Sequence, residues 1–235
     1  MPDPAPNAEL LRSLGRLVRG LSALFWGLPA TLVVCVGTAS AGWFGEYGIA
    51  PPVAATGLLL YGLWQLGYFQ KQERPWRGAL DRARLLALVN LWLSPFLYWW
   101  NRMPAHPFFQ VVLQVLALSS LLFLISLNQV LDRLAAMLPD EGLRQETRQF
   151  TRLNCALLLA TLLVAVAVFS TRWVATPWQF LTTALLAPER DRAWMFLLRF
   201  LLPLAVFLLL PLAMTMALLW KTKEVILDSV FGAER

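Results

Sequence analysis

Six stretches of this sequence are too apolar and too long to stay in water, and they limit the fold more than any other feature. They run from Leu21 to Phe44, Pro51 to Phe69, Leu85 to Trp100, Phe108 to Leu131, Leu153 to Thr171 and Trp194 to Trp220. A bilayer core takes about 20 apolar residues in helical form, because a backbone in hydrocarbon can bond only to itself. The stretches therefore predict an all-α, polytopic transmembrane helix bundle of six spans over residues 21–220. An amphipathic segment, 1–20, precedes it and a polar tail, 221–235, follows. The third stretch is short and is expected to begin a turn earlier, near Ala83; the last is long enough to tilt or kink. Composition agrees, with 58% hydrophobic residues and only 14% charged, against about 25% charged in soluble domains. The mean hydropathy is +0.59. Eleven Trp suit a chain with many membrane–water interfaces.

Charge orients the spans. Arg12, Arg16 and Arg19; Lys71, Arg74, Arg77, Arg82 and Arg84; Arg133, Arg144, Arg148 and Arg152; and Lys221, Lys223 and Arg235 all fall on one side of the alternating connections. These are fifteen of the twenty basic residues, and the other side holds only Arg102, Arg172, Arg190 and Arg192. Lys and Arg in short loops stay in the cytoplasm, so both termini are predicted inside. The net charge of +6 is spread between apolar runs rather than gathered on one water-exposed face. The expected partner is thus anionic inner-leaflet headgroups, not nucleic acid. Ala39-Ser40-Ala41 after an apolar run also fits a signal-peptide cleavage site, but the run continues to Phe44 and exceeds a usual h-region.

Three polar pieces lie outside the hydrocarbon. Leu10, Leu11, Leu14, Leu17, Val18 and Leu21 recur at helical spacing opposite Glu9, Arg12, Ser13, Arg16 and Arg19. That pattern predicts a basic amphipathic helix on the inner leaflet, in its simplest role a topology anchor. Residues 132–152 predict a helical hairpin interrupted at Pro139-Asp140-Glu141-Gly142, with Arg144, Arg148 and Arg152 as a basic stripe. Thr176-Pro177 reads as a helix start, and 176–187 as an amphipathic helix in the outer interface, with a re-entrant hairpin as the alternative.

The chemistry-bearing residues are few. His106 is the single histidine and sits in a short loop, so two-histidine haem ligation within the chain is impossible. No Cys or His cluster has metal-ligand spacing, and no cofactor is expected. The runs hold no mid-membrane Asp, Glu or Lys, which disfavours ion-coupled transport. No hydrolase or nucleotide-binding motif is present. Cys35 and Cys155 lie inside apolar runs and read as small buried hydrophobes.

What remains is polar or helix-breaking. Arg199 lies early in the last span, and Pro203, four residues on, displaces its carbonyl from the helical ladder. The pair is a candidate place for an anionic or carbonyl-bearing ligand, against the simpler reading that Arg199 snorkels to the interface. Gln110 and Gln114 share a face of the fourth span and join that candidate set. Asn128 and Asn154 fall near the inner ends of neighbouring spans and read as interhelical packing groups. Gly37, Ala39, Ser40, Ala41 and Gly42 allow close helix approach late in the first span. The function expected from this inventory is a non-catalytic component of a bacterial inner-membrane complex: a subunit, scaffold or assembly factor with other membrane subunits as partners. The alternative is a small permease or a lipid- or quinone-binding protein with a cavity near Arg199.

Overall fold

The computed structural model describes residues 4–41, 45–69, 74–103, 106–137, 141–174 and 209–227, and every regular element among them is a helix. In order they are α1 (Pro4–Val36), continuing into a π-helical turn (Gly37–Ala41), a 3-10 turn (Gly45–Tyr47), α2 (Ala50–Leu66) and α3 (Arg74–Leu93). Then come α4 (Phe96–Arg102), α5 (Pro107–Met137) and α6 (Glu141–Val174). Residues 209–227 form α7. Among the described residues three helical stretches are long and apolar enough to cross a membrane: Arg12–Ser40, Pro107–Met137 and Thr147–Ala167. α2 has 17 residues, a little short of the usual span. α3 spends its first turns on Arg74, Arg77, Arg82 and Arg84, so only its later half is apolar.

Successive helices pack antiparallel. Along α1 and α2, Arg16 lies over Tyr68, Gly20 against Gly62, Gly27 against Leu59, and Thr31 Oγ1 donates to the Ala55 carbonyl. Between α2 and α3 the pairs are Trp64 with Arg84 and Thr56 with Ser94. The α3–α4 arm meets α5 through Asn90 with Ser119 and Phe96 with Phe108. α7 returns alongside α1, where the Phe25 and Trp220 ring centroids are 5.6 Å apart.

The breaks have chemical causes. Pro51 and Pro52 open α2, where missing N–H groups cost nothing. Pro95 cannot donate to the Leu91 carbonyl four residues back. The Ser94 hydroxyl takes that place, donating to Leu91 O at 2.9 Å, and the chain restarts as α4. At the end of α1, Thr38 and Ser40 hydroxyls bond back to the carbonyls of Val34 and Val36, where the helix widens into its π turn.

The basic N-terminal segment is continuous with the first apolar run rather than set off from it. α1 runs unbroken through Leu21, and Leu17 and Leu21 are fully buried in the core with Leu24 and Leu28. Arg12, Arg16 and Arg19 stay exposed on the opposite face. The apolar stripe is thus used, at least from Leu17 onward, on packing within the bundle. The outer segment 176–187 lies outside the described residues.

Between α1 and α2 one close contact is glycine on glycine. A Cβ on Gly20 would stand 2.7 Å from Leu66 Cδ1 and 2.9 Å from the Gly62 carbonyl oxygen, and one on Gly62 would stand 2.8 Å from Leu24 Cγ. Gly27 repeats the arrangement a heptad later, with Leu59 Cδ2 2.9 Å from the same construction. Small residues let helix backbones approach, which maximises dispersion where lipid removes the hydrophobic drive. Gly20→Val is expected to cost about 1–3 kcal/mol through overpacking. Gly57→Ala, where nothing lies within 4 Å, should be neutral or gain up to about 1 kcal/mol of helix propensity. Unfolding of the two variants in mixed micelles checks this; equal losses would discard the seam.

Candidate functional site

Three polar or hollow places stand out in the bundle. The first is a cluster of Asn128 on α5, Asn154 on α6 and Thr215 on α7, all fully buried. Asn154 Nδ2 reaches Asn128 Oδ1 at 3.0 Å, Thr215 Oγ1 at 2.9 Å and the Pro211 carbonyl at 3.2 Å. Asn128 Nδ2 donates to Thr215 Oγ1 at 3.1 Å and to the Leu124 carbonyl at 2.8 Å. Thr215 donates in turn to Pro211 O at 2.8 Å. Three helices are therefore tied by side chains that would otherwise lie unsatisfied in an apolar interior. Asn154 Oδ1 has no donor among the described residues.

The second place is a pair of adjoining hollows farther along the bundle. One, of about 150 Å³, is bordered by Thr31, Cys35, Thr56, Asn90, Ser120 and Leu212. The other, of about 470 Å³, lies among Val36, Leu97, Leu113, Leu121, Thr161 and Val164. They share Leu32, Cys35, Leu116, Ser120, Leu124 and Leu212 as a common wall. Their few polar neighbours are bonded: Ser119 donates to Asn90 Oδ1, Ser120 to Leu116 O, and Thr56 to Pro52 O. Such a lining suits an alkyl chain or a flat apolar ring rather than an ion.

The third place is a cleft of about 260 Å³ where α2 ends and α3 begins, lined by Gly67, Trp76, Arg77, Leu80, Asp81 and Arg84. Arg84 Nη2 donates to the Leu63 and Trp64 carbonyls at 3.3 and 3.4 Å, capping the C-terminus of α2. Its Nη1 meets Asp81 Oδ1 at 3.4 Å. Gly67 sits so close that any Cβ there would collide with the guanidinium. Trp76 Nε1 and Arg84 Nε are buried without an acceptor among the described residues, and an unmet buried donor costs about 1–3 kcal/mol.

The residues singled out in the sequence distribute unevenly over these places. Asn128 and Asn154 meet directly. Gly37 is buried in the π turn, and that turn, which ends at Ala41, packs on α4. Gln110 is exposed near the start of α5, Gln114 half-buried one turn on, and neither borders a hollow described above. Arg199 and Pro203 lie outside the described residues. Thr215, Trp76 and the Gly20–Gly62 seam carried weaker signals: a hydroxyl in an apolar run, a Trp inside a basic stretch, and glycines a heptad apart. Among the described residues no group of three His, Cys, Asp or Glu could hold a metal ion.

Interhelical amide bonds in membranes average about 0.6 kcal/mol, but truncating Asn154 also takes the donor from buried Asn128 Oδ1. Asn154→Ala is expected to lower stability by about 1–2 kcal/mol, and the Asn128→Ala/Asn154→Ala pair by less than the sum of the single changes. A double-mutant cycle in detergent measures it, and strict additivity would dissolve the cluster into independent side chains. The chain matches no protein-family model, no curated protein and no solved structure, so these sites stand on their own geometry.

Proposed function

We propose that this chain is a non-catalytic, six-pass component of a bacterial inner-membrane complex, with both termini in the cytoplasm. The supporting observation is how its deepest polar side chains are used. Asn128, Asn154 and Thr215 join three helices, and Asn90, Ser119, Thr56 and Ser94 join α2, α3 and α5. Polar groups that could serve transport or chemistry are committed to helix registry instead. Large apolar side chains such as Trp92, Leu153 and Leu163 remain mostly exposed, available to lipid or to neighbouring subunits.

Six crossings with alternating direction agree with the antiparallel order of α1, α2, the α3–α4 arm, α5, α6 and α7. In that order Arg16, Arg84, Arg148 and Lys223 fall at one end and Arg102 at the other, the asymmetry that retains an end in the cytoplasm. The basic end would then meet anionic headgroups. A second reading, binding of a lipid tail or a quinone, is favoured by the adjoining hollows of about 150 and 470 Å³.

Reporter fusions after Arg84, Arg152 and Arg235 should all report cytoplasm; a periplasmic signal at any of them overturns the topology. Mild-detergent purification from native membranes should recover the chain with stoichiometric membrane partners. Recovery alone, with an apolar small molecule bound in mass spectra and lost on Leu116→Trp, would replace the complex-component function with the binding one.

A further inference from the structure

We propose that the cleft between the C-terminal end of α2 and the first turns of α3 binds a phosphate-bearing anion through Trp76, Arg77 and Arg84. The proposal goes beyond the scaffold role and does not depend on it, since the cleft lies within a single chain.

Trp76 is 1% exposed, yet its indole N–H has no acceptor among the described residues. Arg84 Nε is likewise buried and unmet. Both residues line the same cleft of about 260 Å³. Indole and guanidinium nitrogens only donate, so their complement has to be an acceptor. Nη1 is engaged by Asp81 and Nη2 by the carbonyls of Leu63 and Trp64, so Nε is the one Arg84 nitrogen without a partner among the described residues. Arg77, exposed on the same helix, brings a second guanidinium to the cleft.

Two further features select an anion. Trp76 and Arg77 belong to the first turn of α3, whose N–H groups lack intrahelical partners and carry the positive end of the helix dipole. Gly67 leaves its side of the cleft without a side chain. Among the described residues that line the cleft Asp81 is the one opposing charge; it is paired to Arg84, and two guanidiniums outweigh it. A phosphate oxygen can accept from indole and guanidinium together, and guanidinium geometry suits phosphate. Its source is either a phospholipid headgroup or free phosphate.

Thermal unfolding of the full chain in neutral detergent tests this. The probes are phosphatidylglycerol, diacylglycerol and inorganic phosphate, applied to wild type, Trp76→Phe, Arg77→Gln and Arg102→Gln. Phosphatidylglycerol should raise the wild-type Tm above the diacylglycerol value. Trp76→Phe and Arg77→Gln should lose most of that rise, while Arg102→Gln, at an exposed position at the other end of the bundle, keeps it. A Trp76-dependent rise with inorganic phosphate assigns the site to free anion, and one with phosphatidylglycerol alone assigns it to lipid. Equal rises in all four proteins, or no rise with either phosphate probe, would overturn the proposal. Should Trp76→Phe not fold, Arg77→Gln decides, because its side chain is exposed.

Discussion

A backbone removed from water has to meet its own hydrogen-bonding needs, and three irregularities among the described residues are patched accordingly. Where Pro95 withdraws an N–H, the Ser94 hydroxyl serves Leu91 O. Where α2 stops, Arg84 crosses from the next helix to hold the carbonyls of Leu63 and Trp64. Where α1 widens at Gly37–Ala41, Thr38 and Ser40 bond back along the chain. At these three places a Ser, Thr or Arg side chain stands where the regular helix gives way.

Two kinds of contact then hold the helices to each other. Between α1 and α2 the drive is dispersion, obtained by removing side chains at Gly20, Gly27 and Gly62 so that the neighbouring leucines reach the opposing backbone. Between α5, α6 and α7 it is hydrogen bonding among Asn128, Asn154 and Thr215. The first fixes distance and tolerates little added volume. The second fixes register, because a shift of one residue would carry an amide away from its partners and leave it unmet.

Much of the fold was legible because apolar length is a coarse signal that survives without an alignment. Helical structure through the described parts of the apolar runs and the mixed character of the third run follow from single residues or simple counts. Helix-to-helix geometry was less legible. The cluster Gly37, Ala39, Ser40, Ala41 and Gly42 draws the eye because its small residues lie close together, whereas the α1–α2 seam uses Gly20 and Gly27, seven apart, set against Gly62 and Leu59. Asn128 and Asn154 stand out as amides in apolar runs; Thr215 does not, since threonine is ordinary there and only its partners distinguish it. Trp76 is hidden for a related reason. In a basic stretch a Trp reads as an interfacial anchor, and its burial depends on how α3 lies against the leucines of neighbouring helices.

The amide cluster also has a direction in time. Asn128 and Asn154 are 26 residues apart on helices joined by a three-residue link, 138–140, so they can pair as soon as that hairpin leaves the ribosome. Thr215 is 87 residues from Asn128 and arrives later, with α7. Until then each amide shields the other from hydrocarbon, and the hairpin waits as a half-closed latch. A chain truncated before α7 would lack Thr215 and the Pro211 carbonyl, leaving Asn154 with Asn128 as its remaining partner in the cluster.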